Sequence, residues 1–257
     1  MIDRLDAKQM AKRLALHVPR LRDRLGARYP YLHTPAQLAY LCACLDLTRE
    51  VPGSVVEAGA FQGNTTLFLN RHMTTEGIEK PYWALDTFSG FLDDDLDGEV
   101  ARGQDRGHYR GMFAGNDQRW FDYVIRRAGV SRVRSVATDV GAFDFTRTAP
   151  IAFCLVDVVL YQPVKRALPH IWDALAPGGI IVVDDYHADD SGAFSGAGQA
   201  YHEFAEERGI EPRRLHREFG LLMKGPAVLE DPVALLRRRP ATAAEPATAR
   251  DAARHTA

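Results

Sequence analysis

Two uninterrupted apolar runs, each ending on carboxylates, constrain this chain more than any other feature. Ile151–Val156 runs straight into Asp157, and Gly179 to Val183 runs into Asp184 and Asp185, just ahead of Tyr186. Runs with no polar alternation read as strands covered on both faces, the condition of a parallel sheet packed between two helical layers. In such a sheet the carboxyl ends of the strands line the ligand crevice, so three carboxylates at two strand ends form a candidate site for a hard cation such as Mg2+.

The segments around these runs alternate in the same way. Strands are expected at Val55–Ala58, Tyr82–Leu85 and Val133–Val136, and helices at Thr65–Thr75, about Asp117–Ala128, Val164–Leu175 and Gly198–Arg208. Pro212 to Lys224 holds two short strand-like runs with no room for a crossover helix, which predicts an antiparallel hairpin. The fold class is therefore α/β: a mostly parallel seven-stranded sheet with a reversed last strand and helices on both faces. Residues 1–50 read as an N-terminal helical lid, with helices at Ala7–Leu25 and, capped by Thr34, Pro35–Asp46. Residues 51–226 form the main domain, and 227–257 a short helix (Asp231–Arg238) followed by an Ala, Thr, Pro and Arg-biased disordered tail. Ser89 to Asn116 is too long for a plain strand-to-helix connection and reads as an irregular acidic cover.

Composition narrows the partners. A net charge of -2 with interspersed signs gives no case for nucleic acid or an anionic membrane. No stretch nears the roughly 18 apolar residues of a membrane span, and no signal-peptide core follows Met1. The three cysteines, Cys42, Cys44 and Cys154, sit in apolar runs and fit reduced core thiols, so a cytoplasmic protein is expected.

Ser54-Val-Val-Glu57-Ala-Gly59-Ala-Phe-Gln-Gly63-Asn64-Thr65 is a strand breaking into a glycine turn that opens a helix, where Gly59 and Gly63 let the backbone approach a ligand. Asp86 closes the next strand, where a carboxylate can accept from ribose hydroxyls or cap its own turn. Asp139 by itself reads as an exposed loop aspartate.

The Glu-x-Gly-x-x-x-Gly segment resembles the first motif of S-adenosylmethionine-dependent methyltransferases. Taken in order, Val51-Pro-Gly-Ser-Val-Val-Glu57-Ala-Gly59, Leu85-Asp86-Thr87-Phe-Ser-Gly90-Phe and Ala176-Pro-Gly-Gly179-Ile-Ile-Val-Val-Asp184-Asp185-Tyr186 resemble the macrocin O-methyltransferase family. The similarity spans roughly Val51 to Lys224. It implies a Rossmann-like class I methyltransferase, usually an oligomer, that methylates a sugar hydroxyl of a glycosylated natural product with S-adenosylmethionine and Mg2+. It implies Asp157, Asp184 and Asp185 as metal ligands and Asp157 as proton acceptor, with His187 a second candidate base. Cofactor contacts fall on Glu57, Gly59, Gly63, Asn64, Thr65, Asp86, Thr87, Thr138, Asp139 and Asp157, and Tyr29, Tyr31 and His33 on an acceptor-stacking cluster. Where the family reads Asp-Gly-Asp-Leu-Tyr-Glu-Ser-Thr, this chain reads Asp157-Val-Val-Leu-Tyr161-Gln-Pro-Val, so the second acid is gone. Ser135-Val-Ala-Thr138-Asp139-Val140 likewise replaces a family Gly-aromatic pattern. A metal-independent O- or N-methyltransferase and a non-catalytic nucleotide-binding module remain open alternatives.

Overall fold

The computed structural model describes residues 18, 29–186, 195–216 and 218–225. His187, the helix expected at Ala7–Leu25 and the segment beyond Gly225, with its expected helix and tail, lie outside the described residues. The chain divides into two compact units, Met1–Leu32 and His33–Ala257. Within the first, Tyr29 and Tyr31 meet edge to face at 5.2 Å between ring centroids.

In the second unit the described residues build one sheet of seven strands: β1 (Ser54–Ala58), β2 (Tyr82–Asp86), β3 (Val133–Ala137), β4 (Ile151–Val156), β5 (Leu175–Val183), β6 (Arg213–His216) and β7 (Phe219–Met223). Their order is β3-β2-β1-β4-β5-β7-β6. All pairs among β1 to β5 are parallel, while β7 runs antiparallel to both β5 and β6. The expected mostly parallel sheet with a reversed last strand is what forms. No helix among the described residues is long and apolar enough to cross a membrane.

Every residue of β1 and β4 is buried, because side chains of period two feed two separate cores. Val56, Cys154, Val156, Ile181 and Val183 point to one face, covered by α6 (Tyr161–Ala174) and α7 (Ser195–Glu207). Val55, Phe153, Leu155, Ile180 and Val182 point to the other, covered by α1 (Pro35–Leu47), α2 (Asn64–Thr75) and α5 (Gln118–Arg127). α1 is fixed at its start by a reciprocal capping box between Thr34 and Gln37, and gives Leu41, Cys44 and Leu45 to this second core.

One expectation changes. The acidic stretch is not irregular, for it contains α3 (Asp93–Ala101) and the single turn α4 (Arg106–Tyr109). Asp93, Asp94 and Asp95 occupy the first turn of α3, where carboxylates complement the positive end of the helix dipole. Buried Asp95 accepts from Arg166 on α6 at 2.8 Å, and buried Glu99 accepts from the Tyr161 N–H that opens α6 at 2.8 Å. The segment is thus tied to the end of β4.

The reversed hairpin depends on Tyr201 of α7. Its fully buried hydroxyl lies 3.0 and 2.9 Å from the carbonyl oxygens of Arg213 and Leu221, sharing its one proton between them, and accepts from the Arg213 N–H at 2.9 Å. Tyr201→Phe leaves these main-chain groups without their partner, an expected loss of about 1–3 kcal/mol. Thermal denaturation should show a midpoint several degrees lower. An unchanged midpoint would mean that the hairpin is held by its apolar contacts.

Candidate active site

The site gathers where β1, β2, β4 and β5 end. The Asp157 N–H donates to Ala58 O at 2.8 Å and the Asp184 N–H to Val156 O at 2.9 Å, so sheet pairing carries both aspartates to the rim in register. Gly59 makes this possible: with φ at 96°, its missing side chain leaves room for the Asp157 carbonyl, which a Cβ would meet at 1.8 Å. The need for glycine comes first from the neighbouring backbone.

Around this point lie four non-glycine residues with left-handed backbones: Phe61 (φ 43°), Phe88 (φ 52°), Val159 (φ 63°) and Asp185 (φ 56°), each just past a strand end. Such conformations cost free energy and persist where neighbours enforce them, often at functional sites. Asp86 enforces two of them, since its Oδ2 accepts from the Phe61 N–H at 2.8 Å and its Oδ1 from the Phe88 N–H at 2.7 Å. Burial raises the Asp86 carboxyl, with those bonds working against it. Asp86 thus caps its own turn, and its Oδ1 accepts as well from Asn116 Nδ2 at 3.3 Å.

Glu57 lies deeper than a ligand-facing role suggests. Its Oε2 accepts from Thr66 at 2.5 Å and from the Tyr82 hydroxyl at 2.7 Å, fastening α2 and β2 to β1, and burial raises it to about 7 against those two bonds. Gly63 caps α2 in a left-handed turn, where a Cβ would meet the Phe121 ring at 2.9 Å. Asn64 and Thr65 open that helix. Thr87 donates to Gly90 O at 2.6 Å, and the Thr138 N–H donates to Asp86 O at 2.8 Å. Asp139 accepts from the Gly141 N–H at 2.8 Å and pairs with Arg166 at 3.3 Å, so its carboxylate caps a turn and meets a cation.

The centre of the site joins two of the expected ligands to a residue absent from that set. His33, Asp157 and Asp184 each offer one ligand atom, all within 4.8 Å of one another. His33 Nε2 lies 3.2 Å from Asp184 Oδ2 and 3.6 Å from Asp157 Oδ2, while Nδ1 is 3.2 Å from Thr65 Oγ1. Asp185 follows outside this group. Burial, then the charges of Asp184 and Asp157, raises its carboxyl to about 8. Burial and then Asp184 raise Asp157 to about 7, with His33 opposing. For His33, burial favours the neutral ring, but the bond to Asp184 and the charges of Asp157 and Asp184 outweigh it and bring the imidazole to about 9. Asp184 Oδ1 is buried with no hydrogen-bond partner among the described residues. Two carboxylates, one of them with an unsatisfied buried oxygen, and an imidazole form a donor set that fits a divalent cation.

His33 was expected as a stacking surface. Its contacts reach Thr65, Asp157 and Asp184, far away in sequence, and no local periodicity encodes them. Val159 stands where the family pattern has its second acid. It is buried with Leu160 against Tyr109, Phe91 and Phe113, so the acid has been exchanged for an apolar contact with the α3–α4 segment.

The sequence matches the family model described as macrocin-O-methyltransferase over residues 35–215. It is 26% identical over 194 residues to the 8-demethyl-8-(2,3-dimethoxy-alpha-L-rhamnosyl)-tetracenomycin-C 4'-O-methyltransferase of Streptomyces olivaceus, covering 66% of this chain and 68% of the relative. It is 28% identical over 190 residues to the mycinamicin III 3''-O-methyltransferase of Micromonospora griseorubida, covering 66% of each. The fold is similar to the O-methyltransferase NovP (TM-score 0.63, 20% identity, 74% of this chain and 79% of that one). It is also similar to the calicheamicin methyltransferase CalS11 (TM-score 0.62, 22% identity, 84% of this chain and 90% of that one).

The cluster sets a pH dependence. Glu57, Asp157, Asp185 and His33 all have folded pKa values above their unfolded ones, so the folded state binds more protons. The carboxylate contributions are lost as pH rises through about 7 to 8 and that of His33 as it rises through about 9. Chelator-treated protein should therefore melt at progressively lower temperature from about pH 6 to pH 9. Differential scanning fluorimetry tests this, and a flat or rising profile would contradict it.

Proposed function

The chain belongs to the macrocin-O-methyltransferase family, and from that premise we propose that it moves the methyl group of S-adenosylmethionine to a sugar hydroxyl of a glycosylated natural product, assisted by a divalent cation such as Mg2+. The observation that supports the cation most directly is the cluster at the ends of β4 and β5, with its unsatisfied Asp184 oxygen.

Asp157 and Asp184 would hold the cation, with Asp185 adjoining. When bound, the cation lowers the pKa of a coordinated hydroxyl and holds it in place. The chain's own residues supply the rest. The loop after β1, braced by Asp86 and Glu57, would carry the cofactor, and Asp86 would accept from the ribose by exchanging its Asn116 donor for a ribose hydroxyl. Gly63, Asn64, Thr65, Thr87, Thr138 and Asp139 would border the same cofactor site. Asp157 stands where the cofactor loop meets the cluster, because its carbonyl abuts Gly59 and its carboxylate faces His33. Its carboxylate is thereby placed to take the acceptor proton as the methyl group transfers. Holding acceptor oxygen and cofactor sulfur in line supplies the remaining advantage.

One observation favours a second reading, a metal-independent transferase: a protonated His33 would itself place positive charge beside Asp157 and Asp184. Chelation separates the two. EDTA should abolish turnover while leaving S-adenosylhomocysteine binding by calorimetry nearly unchanged, since the cation serves the acceptor. Full activity in excess EDTA would favour the imidazolium reading. Asp157→Asn keeps the shape but loses the charge, so single-turnover methyl transfer should slow at least about 10²-fold. Restoration of that variant to near the parental rate by saturating Mg2+ would reduce Asp157 to a ligand and move the base elsewhere.

A further inference from the structure

Resting on the metal-assisted reading above, we propose that His33 is a direct ligand of the cation held by Asp157 and Asp184, so that the site selects a first-row transition ion, such as Mn2+, over Mg2+. His33 Nε2 stands 3.2 Å from Asp184 Oδ2 and 3.6 Å from Asp157 Oδ2. Donor atoms on adjacent corners of an octahedron with bonds of about 2.1 Å lie about 3 Å apart, so Nε2 stands near ligand spacing from each carboxylate, and all three donor atoms lie within 4.8 Å of one another.

The ring is held for this task. Nδ1 is engaged by Thr65 Oγ1 at 3.2 Å, and the ring packs against Phe219 at 5.7 Å between centroids. This outer hydrogen bond leaves Nε2 facing the two carboxylates, the arrangement that orients metal-bound histidines. His33 is 3% exposed, immediately before the Thr34–Gln37 capping box that starts α1, so its backbone is fixed as well. A carboxylate in its place would complete an oxygen set of the kind Mg2+ prefers. An imidazole nitrogen instead favours ions that accept nitrogen and oxygen together.

The test is Mn2+ binding to the full, chelator-treated chain, followed by electron paramagnetic resonance. The pulsed spectrum of the wild-type complex should show coupling to a directly coordinated imidazole nitrogen, and Mg2+ should displace Mn2+ only at tenfold or greater excess. His33→Ala should lose the nitrogen coupling and bind Mn2+ at least tenfold more weakly, with S-adenosylhomocysteine affinity and circular dichroism confirming the fold. Saturable Mn2+ binding by the wild type without nitrogen coupling would overturn the proposal and leave the aspartate-held cation standing. No saturable Mn2+ binding at all would overturn both. Because the decisive spectrum is taken on the wild type, a variant that fails to fold does not weaken the test.

Discussion

Negative charge concentrated at one end of a buried sheet is the constraint on which this structure turns. Glu57, Asp157, Asp184 and Asp185 all lie where the parallel strands end, and burial leads the causes that raise Glu57, Asp157 and Asp185. Carboxylates in a low-dielectric setting repel one another and miss their hydration, so the arrangement needs protons, a cationic side chain or a metal ion to be stable. Glu57 is answered by two hydroxyl donors. Asp157 and Asp184 face the His33 imidazole, at 3.6 and 3.2 Å from its Nε2.

The backbone around that charge is under tension as well. Phe61, Phe88, Val159 and Asp185 adopt left-handed conformations within a few residues of four strand ends, and the Phe61 and Phe88 amides are both held by Asp86. A single carboxylate thus fixes the loops after β1 and β2. Phe61 then meets Phe113 edge to face, Phe113 meets Phe91, and Phe91 meets Tyr109, a chain of rings from the glycine loop into the α3–α4 segment. Movement of that segment would be felt at the glycine loop through these contacts.

Much of this fold was legible in the sequence because its signals are local. The apolar runs of β4 and β5, the Thr34 cap, the glycine turn after β1 and the short hairpin spacing all act over a few residues. α3 was not legible, since its helical tendency comes from acids at its first turn and from Asp95 and Glu99 finding partners on α6. The site divides in the same way. Asp157 and Asp184 announce themselves by ending strands, whereas His33 belongs to the cluster through contacts with residues on α2, β4 and β5 that only the folded chain brings near. Gly59 was legible as a special position, but not that the space it frees is taken by the Asp157 carbonyl, a neighbour that only the sheet pairing supplies.

The loss of the second acid of the family pattern is best understood through what replaced it. Val159 keeps a left-handed backbone that suits aspartate better than a β-branched residue, and it is buried against Tyr109, Phe91 and Phe113. At this position the left-handed backbone is held by packing with the α3–α4 segment and not by a charge. With position 159 apolar, Asp157 is the carboxylate that the start of the loop after β4 presents. Its carbonyl abuts Gly59 and its carboxylate faces His33, so the shape of the glycine loop and that of the His33 cluster are set together by one strand end.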